Sequence, residues 1–362
     1  MIGNSPALAE ALGRFEGLYP ETIELSLGRV LNALDLLGRP QDRLPPVVHV
    51  AGTNGKGSTC AFMRAMMEAA GLKVHVFTSP HLVRFNERIR LAGEIVDNAR
   101  LIDWLERAYR AIQGHEITQF EATTATALLA FSEVPADVLI LEVGLGGSYD
   151  ATNVIDQPAL SVITPVDFDH KAFLGSDLRK IAGEKAGIIK PGCPALTAIQ
   201  RKVCDEVIAK RAEAVGAPLY RLKAHFIDAM PEDLGLVGEH QRANAALAAM
   251  AVQLFGNSTR IDQAAIFEGA RKASWPARMQ KLGPGPLTAL DTIHMRPVRS
   301  RDSCKPFRGG RPWSRPCWRP RIRPAFSCRS GNFVRSFSRF RMRRAIKGPS
   351  RRRWPRPQRR PA

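Results

Sequence analysis

Long apolar runs are missing from this 362-residue sequence. No stretch approaches the roughly 18 consecutive apolar residues of a membrane-spanning helix, which argues against a helical membrane protein. Met1 is not followed by the basic and apolar segments of a secretion signal. The six cysteines form no C-x-x-C pair, so neither a zinc site nor a disulfide framework is expected. These absences predict a cytoplasmic protein without membrane contact.

Acidic residues are almost absent from the C-terminal part of the chain. Residues 295–362 contain 21 arginines and two lysines but a single acid, Asp302. Because the whole chain carries a net charge of +19, residues 1–294 are slightly acidic. The positive charge that would suggest a nucleic-acid partner is therefore confined to the tail. The tail also lacks apolar periodicity, which predicts disorder.

The most informative segment covers residues 48–58, VHVAGTNGKGS, where a valine-rich strand runs into a glycine-rich loop. Its G-x-x-G-K-G-S pattern is a shortened relative of a common phosphate-binding loop. In such a loop the backbone N–H groups surround phosphate oxygens, the lysine neutralises charge and the serine hydroxyl reaches Mg²⁺. A helix predicted over 59–70 adds its positive N-terminal dipole. We therefore predict an ATP site, rather than a plain glycine turn, at Thr53, Asn54, Gly55, Lys56, Gly57 and Ser58.

Strand-like runs alternate with helical patterns along the first 290 residues. The alternation predicts an α/β fold: a P-loop NTPase-like, mainly parallel sheet with helices on both faces, whose ligands gather beyond the carboxyl ends of the strands. The predicted strands cover 47–51, 74–78, 138–143, 160–164 and 194–198. The predicted helices cover 27–37, 99–112, 120–131, 178–186, 203–215, 241–255 and 263–272.

Four side chains follow four of these strands and are expected at one edge of the sheet. They are Ser58, Ser79, Glu142 and His170. Oxygen ligands with one imidazole, completed by water and phosphate, suit Mg²⁺ better than zinc. Two of these residues have a simpler interpretation: Glu142 as a salt-bridge partner, and His170 as a core or surface histidine. The glycines at 144–147 can equally form only a tight turn.

Seven motifs follow one another along the chain: V-A-G-T-N-G-K-G-S, T-S-P-H-L, F-N-E-R-I, E-V-G-L-G-G-x-x-D-A-T-N, D-H-x-x-x-L-G, E-K-A-G-I-I-K and H-Q-x-x-N-A. In order and spacing they resemble the motifs of bacterial dihydrofolate synthase/folylpolyglutamate synthase, within the Mur ligase superfamily. The resemblance extends from about residue 25 to about residue 290. It implies the Mur ligase central domain, ATP and Mg²⁺, and the substrates dihydropteroate or folate and L-glutamate.

The resemblance also implies roles for individual residues. Ser58, Ser79, Glu142 and His170 match magnesium ligands, Asn244 matches a contact to the nucleotide base, and Arg278 matches a phosphate-binding arginine. Lys185 matches a lysine that the family carries as a carbamate, and it is grouped with Lys56 and His170 as catalytic. Without the resemblance, Lys185 would be taken for an ordinary lysine on a helix surface. Arg84, Phe120, Asp150 and Ala151 match positions that hold the pterin. Ser148 departs from the family, which usually has arginine at this position.

These matches predict three parts of the chain. Residues 1–283 form an ATP- and pterin-binding domain, 284–294 a linker with the remnant start of a C-terminal domain, and 295–362 a basic tail rich in arginine and proline. We expect a monomer that acts by an acyl-phosphate mechanism, with activity impaired by loss of that domain. The tail has three interpretations: a nucleic-acid-binding arm, a linker, or the product of a frameshift near Ala289, which we favour. A Mur-type ligase for another substrate class, or a P-loop protein with a nucleic-acid-binding tail, is the competing functional hypothesis.

Overall fold

The computed structural model describes residues 4–20, 26–168, 177–255 and 261–276, together with two short strands at 280–281 and 289–290. The α-helices are α1 (Pro6–Gly13), α2 (Gly28–Leu36), α3 (Lys56–Ala69), α4 (Asn98–Ile112), α5 (Gln119–Glu133), α6 (Leu178–Ala186), α7 (Lys202–Ala214), α8 (Ala224–Asp228), α9 (Glu239–Phe255) and α10 (Gln263–Lys272). The strands are β1 (Val47–Ala51), β2 (Val74–Phe77), β3 (Ile89–Leu91), β4 (Glu94–Ile95), β5 (Val138–Glu142), β6 (Leu160–Ile163), β7 (Ala195–Thr197), β8 (Leu219–Arg221), β9 (Gln280–Lys281) and β10 (Ala289–Leu290).

Eight strands form one sheet in the order β4-β3-β2-β5-β1-β6-β7-β8. The strands from β2 to β8 in this order are parallel to their neighbours, whereas β3 and β4 are antiparallel additions at one edge. The predicted mainly parallel α/β fold is confirmed. Three strands of this sheet were not predicted, β3, β4 and β8, because two or three residues are too few to show a period.

Helices cover both faces of the sheet, as predicted. Along β5, Leu139 and Leu141 point into a core with α1, α2, α4 and α5, while Val138 and Ile140 point into a core with α3, α9 and α10. A third cluster joins α6 and α7 to β6 and β7. Successive strand residues face opposite sides, so a strand buried on both faces reads as a continuous apolar run.

Helix boundaries follow local capping chemistry. Thr118 caps α5: its hydroxyl accepts from the Glu121 N–H, and the Glu121 carboxylate accepts from the Thr118 N–H. The helix α3 begins at Lys56, three residues before the predicted start at Thr59. Gly55, with φ of +83°, turns the chain directly into the helix, so Gly57 and Ser58 belong to its first turn.

The strands β9 and β10 pair antiparallel and lie on either side of the predicted boundary at residue 283. The division into residues 1–283, 284–294 and 295–362 stays a prediction, and the tail lies outside the described residues. Within the part of the chain that the structure describes, no helix combines the length and apolar character needed to cross a membrane.

Candidate active site

The strands that precede the predicted site residues are neighbours in the sheet. β2, β5, β1 and β6 lie side by side and run parallel, so their carboxyl ends share one edge. Ser79 follows β2, Glu142 ends β5, and the glycine-rich loop follows β1. This is the edge where parallel α/β sheets place their ligands.

The loop after β1 is fastened to the segment that follows β6. The N–H groups of Thr53 and Asn54 both donate to the Pro165 carbonyl at 3.1 Å, and the Thr53 hydroxyl donates to the Asp167 carbonyl at 2.9 Å. Gly52 has φ of +145°, and a Cβ there would lie 1.9 Å from the Thr164 hydroxyl oxygen. Only glycine therefore fits where the strand enters the loop.

Two distant residues pack against the loop from its other side. A Cβ on Gly55 would lie 2.4 Å from Asn244 Oδ1, and one on Gly57 would lie 3.2 Å from the ring of Trp275. The buried Asn244 amide donates to Gln241 Oε1 at 3.0 Å, which fixes the orientation of its side chain. The structure thus brings Asn244 to the loop, and its contact to the nucleotide base stays a prediction.

Two lysines meet at the entrance to the loop. Lys56 Nζ and Lys185 Nζ each donate to the Gly52 carbonyl oxygen at 3.0 Å. Lys185 is only 2% exposed, so it is not the surface lysine that its sequence alone would suggest. A buried ammonium needs polar partners, and this one lies beside the phosphate loop.

Glu142 is buried at the same edge, and its Oε2 accepts a hydrogen bond from the Ser79 N–H at 3.2 Å. Arg88 interacts electrostatically with Glu142. Burial lowers the pKa of the Arg88 guanidinium, and the negative charge of Glu142 opposes this decrease. Burial likewise raises the pKa of the Cys60 thiol, and Glu142 adds to the increase. A thiol with a raised pKa is a poor nucleophile, so Cys60 is a core residue.

The donor set at this edge fits Mg²⁺. Among the described residues, no three His, Cys, Asp or Glu side chains cluster as a metal centre. Ser58, Ser79 and Glu142 instead offer two hydroxyls and a carboxylate, which suits a cation that keeps water and phosphate oxygens in its shell. His170, the fourth predicted ligand, lies outside the described residues, as does the predicted phosphate contact Arg278.

A glycine turn at residues 144–147 continues from β5. Gly144 packs on Phe120, where a Cβ would come within 2.4 Å of the ring, and Gly147 packs on the Glu184 carbonyl, where a Cβ would come within 2.2 Å. Ser148 follows, and its N–H donates to the same carbonyl at 2.9 Å. The turn therefore fits closely between α5 and the end of α6, which carries Lys185.

The residues predicted to hold the pterin differ in how deeply they are buried. Phe120 is half-buried beside the turn, with its ring centroid 6.2 Å from that of Phe77. Ala151 is buried, and Asp150 is buried with its carboxylate oxygens accepting from the Leu145 N–H, the Thr152 N–H and the Thr152 hydroxyl. Arg84 is exposed at the start of the 3₁₀ turn Phe85–Arg88.

Several site residues were missed at the level of sequence. Trp275 contacts Gly57 across the fold, which no local pattern indicates. Gln241 orients Asn244 from within the same helix. Arg88, whose charge interacts with Glu142, donates from its Nε to His81 Nδ1 at 2.9 Å, which joins residues of two motifs. The motifs T-S-P-H-L and F-N-E-R-I carried that signal, because they contain His81 and Arg88.

Comparisons with known proteins agree with this geometry. Residues 50–217 match the Mur ligase middle domain. The Bacillus subtilis dihydrofolate synthase/folylpolyglutamate synthase is 38% identical over 317 residues, which cover 80% of this chain and 73% of that protein. The human mitochondrial folylpolyglutamate synthase is 36% identical over 76% of this chain, but the match spans only about half, 52%, of the human protein.

A solved structure shows the same likeness in three dimensions. E. coli FolC in complex with DHPP and ADP superimposes with a TM-score of 0.71 and 35% identity, covering 81% of this chain and 72% of that one. The resemblance deduced from the motifs is therefore confirmed. This chain belongs to the dihydrofolate synthase/folylpolyglutamate synthase family of Mur ligases.

Proposed function

We propose that this protein is an ATP-dependent amide ligase that adds L-glutamate to dihydropteroate or to folate polyglutamates. One observation carries the proposal: the phosphate loop and the Glu142–Ser79 pair lie at neighbouring strand ends, Lys185 of α6 donates to the start of that loop, and the turn beside Phe120 follows directly after Glu142. An ATP site thus adjoins a place for a flat second substrate, as a ligase requires.

The first step would transfer the γ-phosphoryl group of ATP to the free carboxylate of the pteroate. The bond from the γ-phosphorus to its bridging oxygen breaks, ADP leaves, and an acyl phosphate forms. Lys56 sits in the first turn of α3, where its ammonium and the positive end of the helix dipole both face the anion site. Negative charge builds on the transferred group, so this positive field stabilises the transition state.

The second step would be attack of the glutamate amine on the acyl carbon. The amide bond forms, phosphate leaves, and the amine loses a proton to solvent. An acyl phosphate exposed to water would hydrolyse instead, so glutamate must be held close to it. No covalent enzyme intermediate is required, in keeping with the buried, unreactive Cys60.

Ser58, Ser79 and Glu142, together with His170, are the residues that we propose to hold Mg²⁺. When bound there, the ion would neutralise phosphate charge and orient the oxygens for in-line transfer. Lys185 faces the same region through its bond to the Gly52 carbonyl. Attack of its neutral amine on CO2, with loss of a proton to solvent, would give a carbamate and so replace a cation with an anionic oxygen ligand.

The substrate assignment rests on the turn. Phe120 offers part of its ring beside Gly144, and aromatic rings stack well on flat heterocycles. Ala151 and Asp150 complete this wall, although the Asp150 carboxylate is engaged with its own backbone. We therefore propose that Phe120 and Ala151 contact the pterin and that Asp150 shapes the turn.

Calorimetry with Mg-ATP and a glutamate incorporation assay together test the proposal on the full chain. Wild-type protein should bind Mg-ATP, and Lys56→Ala should weaken binding by about 1.5–3 kcal/mol, the value of a charge-assisted contact. With dihydropteroate present, labelled glutamate should enter a pteroylglutamate product only when ATP is added. Unchanged affinity in Lys56→Ala would refute the proposed ATP site. Glutamate incorporation that is independent of ATP would refute the proposed ligase activity.

A further inference from the structure

A chain of buried hydrogen bonds runs from the central strand to the glycine turn. His49 lies in the middle of β1, and its Nε2 is 2.9 Å from the Thr152 hydroxyl oxygen. That oxygen is 2.6 Å from Asp150 Oδ1. None of the three side chains is more than 5% exposed. None of the contacts described for ATP or Mg²⁺ uses His49 or Thr152.

The direction of each bond follows from counting hydrogens. Both Asp150 oxygens accept backbone N–H groups, Oδ1 from Thr152 and Oδ2 from Leu145, which is the pattern of an ionised carboxylate. The single hydroxyl hydrogen of Thr152 therefore points at Asp150. Thr152 must then accept from His49, so the imidazole carries its hydrogen on Nε2. Its Nδ1 bears no hydrogen and has no partner among the described residues.

Asp150 connects this series of hydrogen bonds to the glycine turn at residues 144–147. Its carboxylate accepts the Leu145 N–H at 2.8 Å. Burial raises the pKa of this carboxyl, and the hydrogen bonds from Thr152, Leu145 and Gly144 oppose the increase. Gly144 leaves no room for a Cβ against Phe120, and Gly147 leaves none against Glu184. A carboxylate that moves by a fraction of an ångström would thus move the backbone on which the substrate wall is built.

We propose that His49 and Thr152 are positioning residues for the pterin-bearing substrate: they hold the Asp150 carboxylate, which in turn holds the Gly144–Leu145 backbone beside Phe120. This inference rests on the proposed function, because the substrate that it serves is the one proposed there. His49 acts only through Thr152 and does not touch ATP.

The placement is hard to explain by stability alone. His49 lies in a strand whose other members are valines and an alanine, all buried, so an apolar residue would avoid the cost of burying a polar ring. Burial, helped by the positive charge of Lys190, also lowers the pKa of His49 to about 3. The imidazole therefore stays neutral and serves as a constant donor across the physiological range.

Nitrogen NMR of the full-length protein tests the arrangement without any ligand. The His49 resonances, assigned by their loss in His49→Gln, should show the tautomer with hydrogen on Nε2. The Leu145 amide should exchange with solvent faster in Thr152→Val than in wild type. The opposite tautomer, or unchanged exchange, would overturn the inference, whatever the substrate proves to be.

Binding measurements test the functional half. Thr152→Val and His49→Leu should each weaken dihydropteroate binding about tenfold, the effect of losing a buried hydrogen bond, while ATP affinity changes less than about twofold. Thr152→Ser and His49→Gln retain the hydroxyl and a side-chain N–H donor, so they should recover most of the affinity. Equal loss for both ligands, or no loss, would contradict a positioning role. If wild-type protein binds ATP but no pteroate, the proposed substrate is wrong, and the tautomer and amide exchange still decide the inference.

Discussion

The contact between α10 and α3 makes a sharp prediction about Gly269. A Cβ built there would lie 2.3 Å from Met66 Cα, 2.4 Å from Met66 N and 2.5 Å from the Ala65 carbonyl oxygen. These are backbone atoms of α3, so no side chain can rotate away. Carbon atoms need about 3.5 Å, and the two helices would have to separate by about 1 Å in Gly269→Ala.

Two effects of this substitution oppose each other, and their sizes decide the outcome. Alanine is the better helix former by about 0.5–1 kcal/mol. Forcing packed backbones apart costs about 3 kcal/mol. We therefore expect Gly269→Ala to lower the free energy of unfolding by about 2 kcal/mol. ATP affinity should also fall, because α3 begins at Lys56.

Gly183 provides the matched control. It lies inside α6, and its added Cβ would meet only Val207 Cγ1, at an ordinary 4.0 Å. Gly183→Ala should be neutral or stabilising by up to about 1 kcal/mol. Equilibrium urea unfolding of both variants measures the difference. The packing argument is refuted if Gly269→Ala proves as stable as Gly183→Ala.

Three further predictions address the site. Gly55 and Gly71 have similar positive φ, +83° and +79°, but only Gly55 would place a Cβ against Asn244; Gly55→Ala should lower nucleotide affinity about tenfold by calorimetry and Gly71→Ala should not, and equal effects would mean that strain alone matters. Glu142→Gln should remove most of the extra thermal stabilisation that Mg²⁺ adds to ATP, and a variant that melts as wild type does under all conditions would exclude Glu142 as a ligand. The pKa of His49 is near 6.5 in the unfolded state and about 3 in the folded state, so between these values the unfolded state binds more protons and stability decreases as the pH is lowered. When the pH is lowered from 7 to 5, the free energy of unfolding of wild type, measured in urea, should fall by about 2 kcal/mol more than that of His49→Gln. Parallel curves would show that His49 is not buried in the neutral form.

The sequence was most informative where chemistry is local. A strand followed by G-x-x-G-K-G-S predicts an anion site without any knowledge of the fold, because the loop and helix are contiguous. Parallel alternation of strands and helices then predicts that Ser79 and Glu142 meet, and the structure joins them by a hydrogen bond. Periodicity also gave α6 and α10 their observed bounds.

What could not be predicted depends on contacts between distant residues. Asp150 was predicted to face the substrate, but whether a carboxylate bonds to a ligand or to its own backbone is set by how the turn closes. Nothing local identifies His49 as its support, since histidine in an apolar strand looks like a core residue. Lys185 was likewise assigned to the site only through the family resemblance, and its burial against the Gly52 carbonyl depends on the fold.

The walls of the phosphate loop have a consequence for how the protein is made. Asn244 packs against Gly55 and Trp275 against Gly57. Gly269 packs against the backbone of α3, the helix that follows the loop. These residues leave the ribosome about two hundred positions after the loop itself. A nascent chain that ends near residue 217, the limit of the family match, lacks all three. Competence to bind nucleotide should therefore arise late in synthesis and in a single step, when α9 and α10 dock on α3.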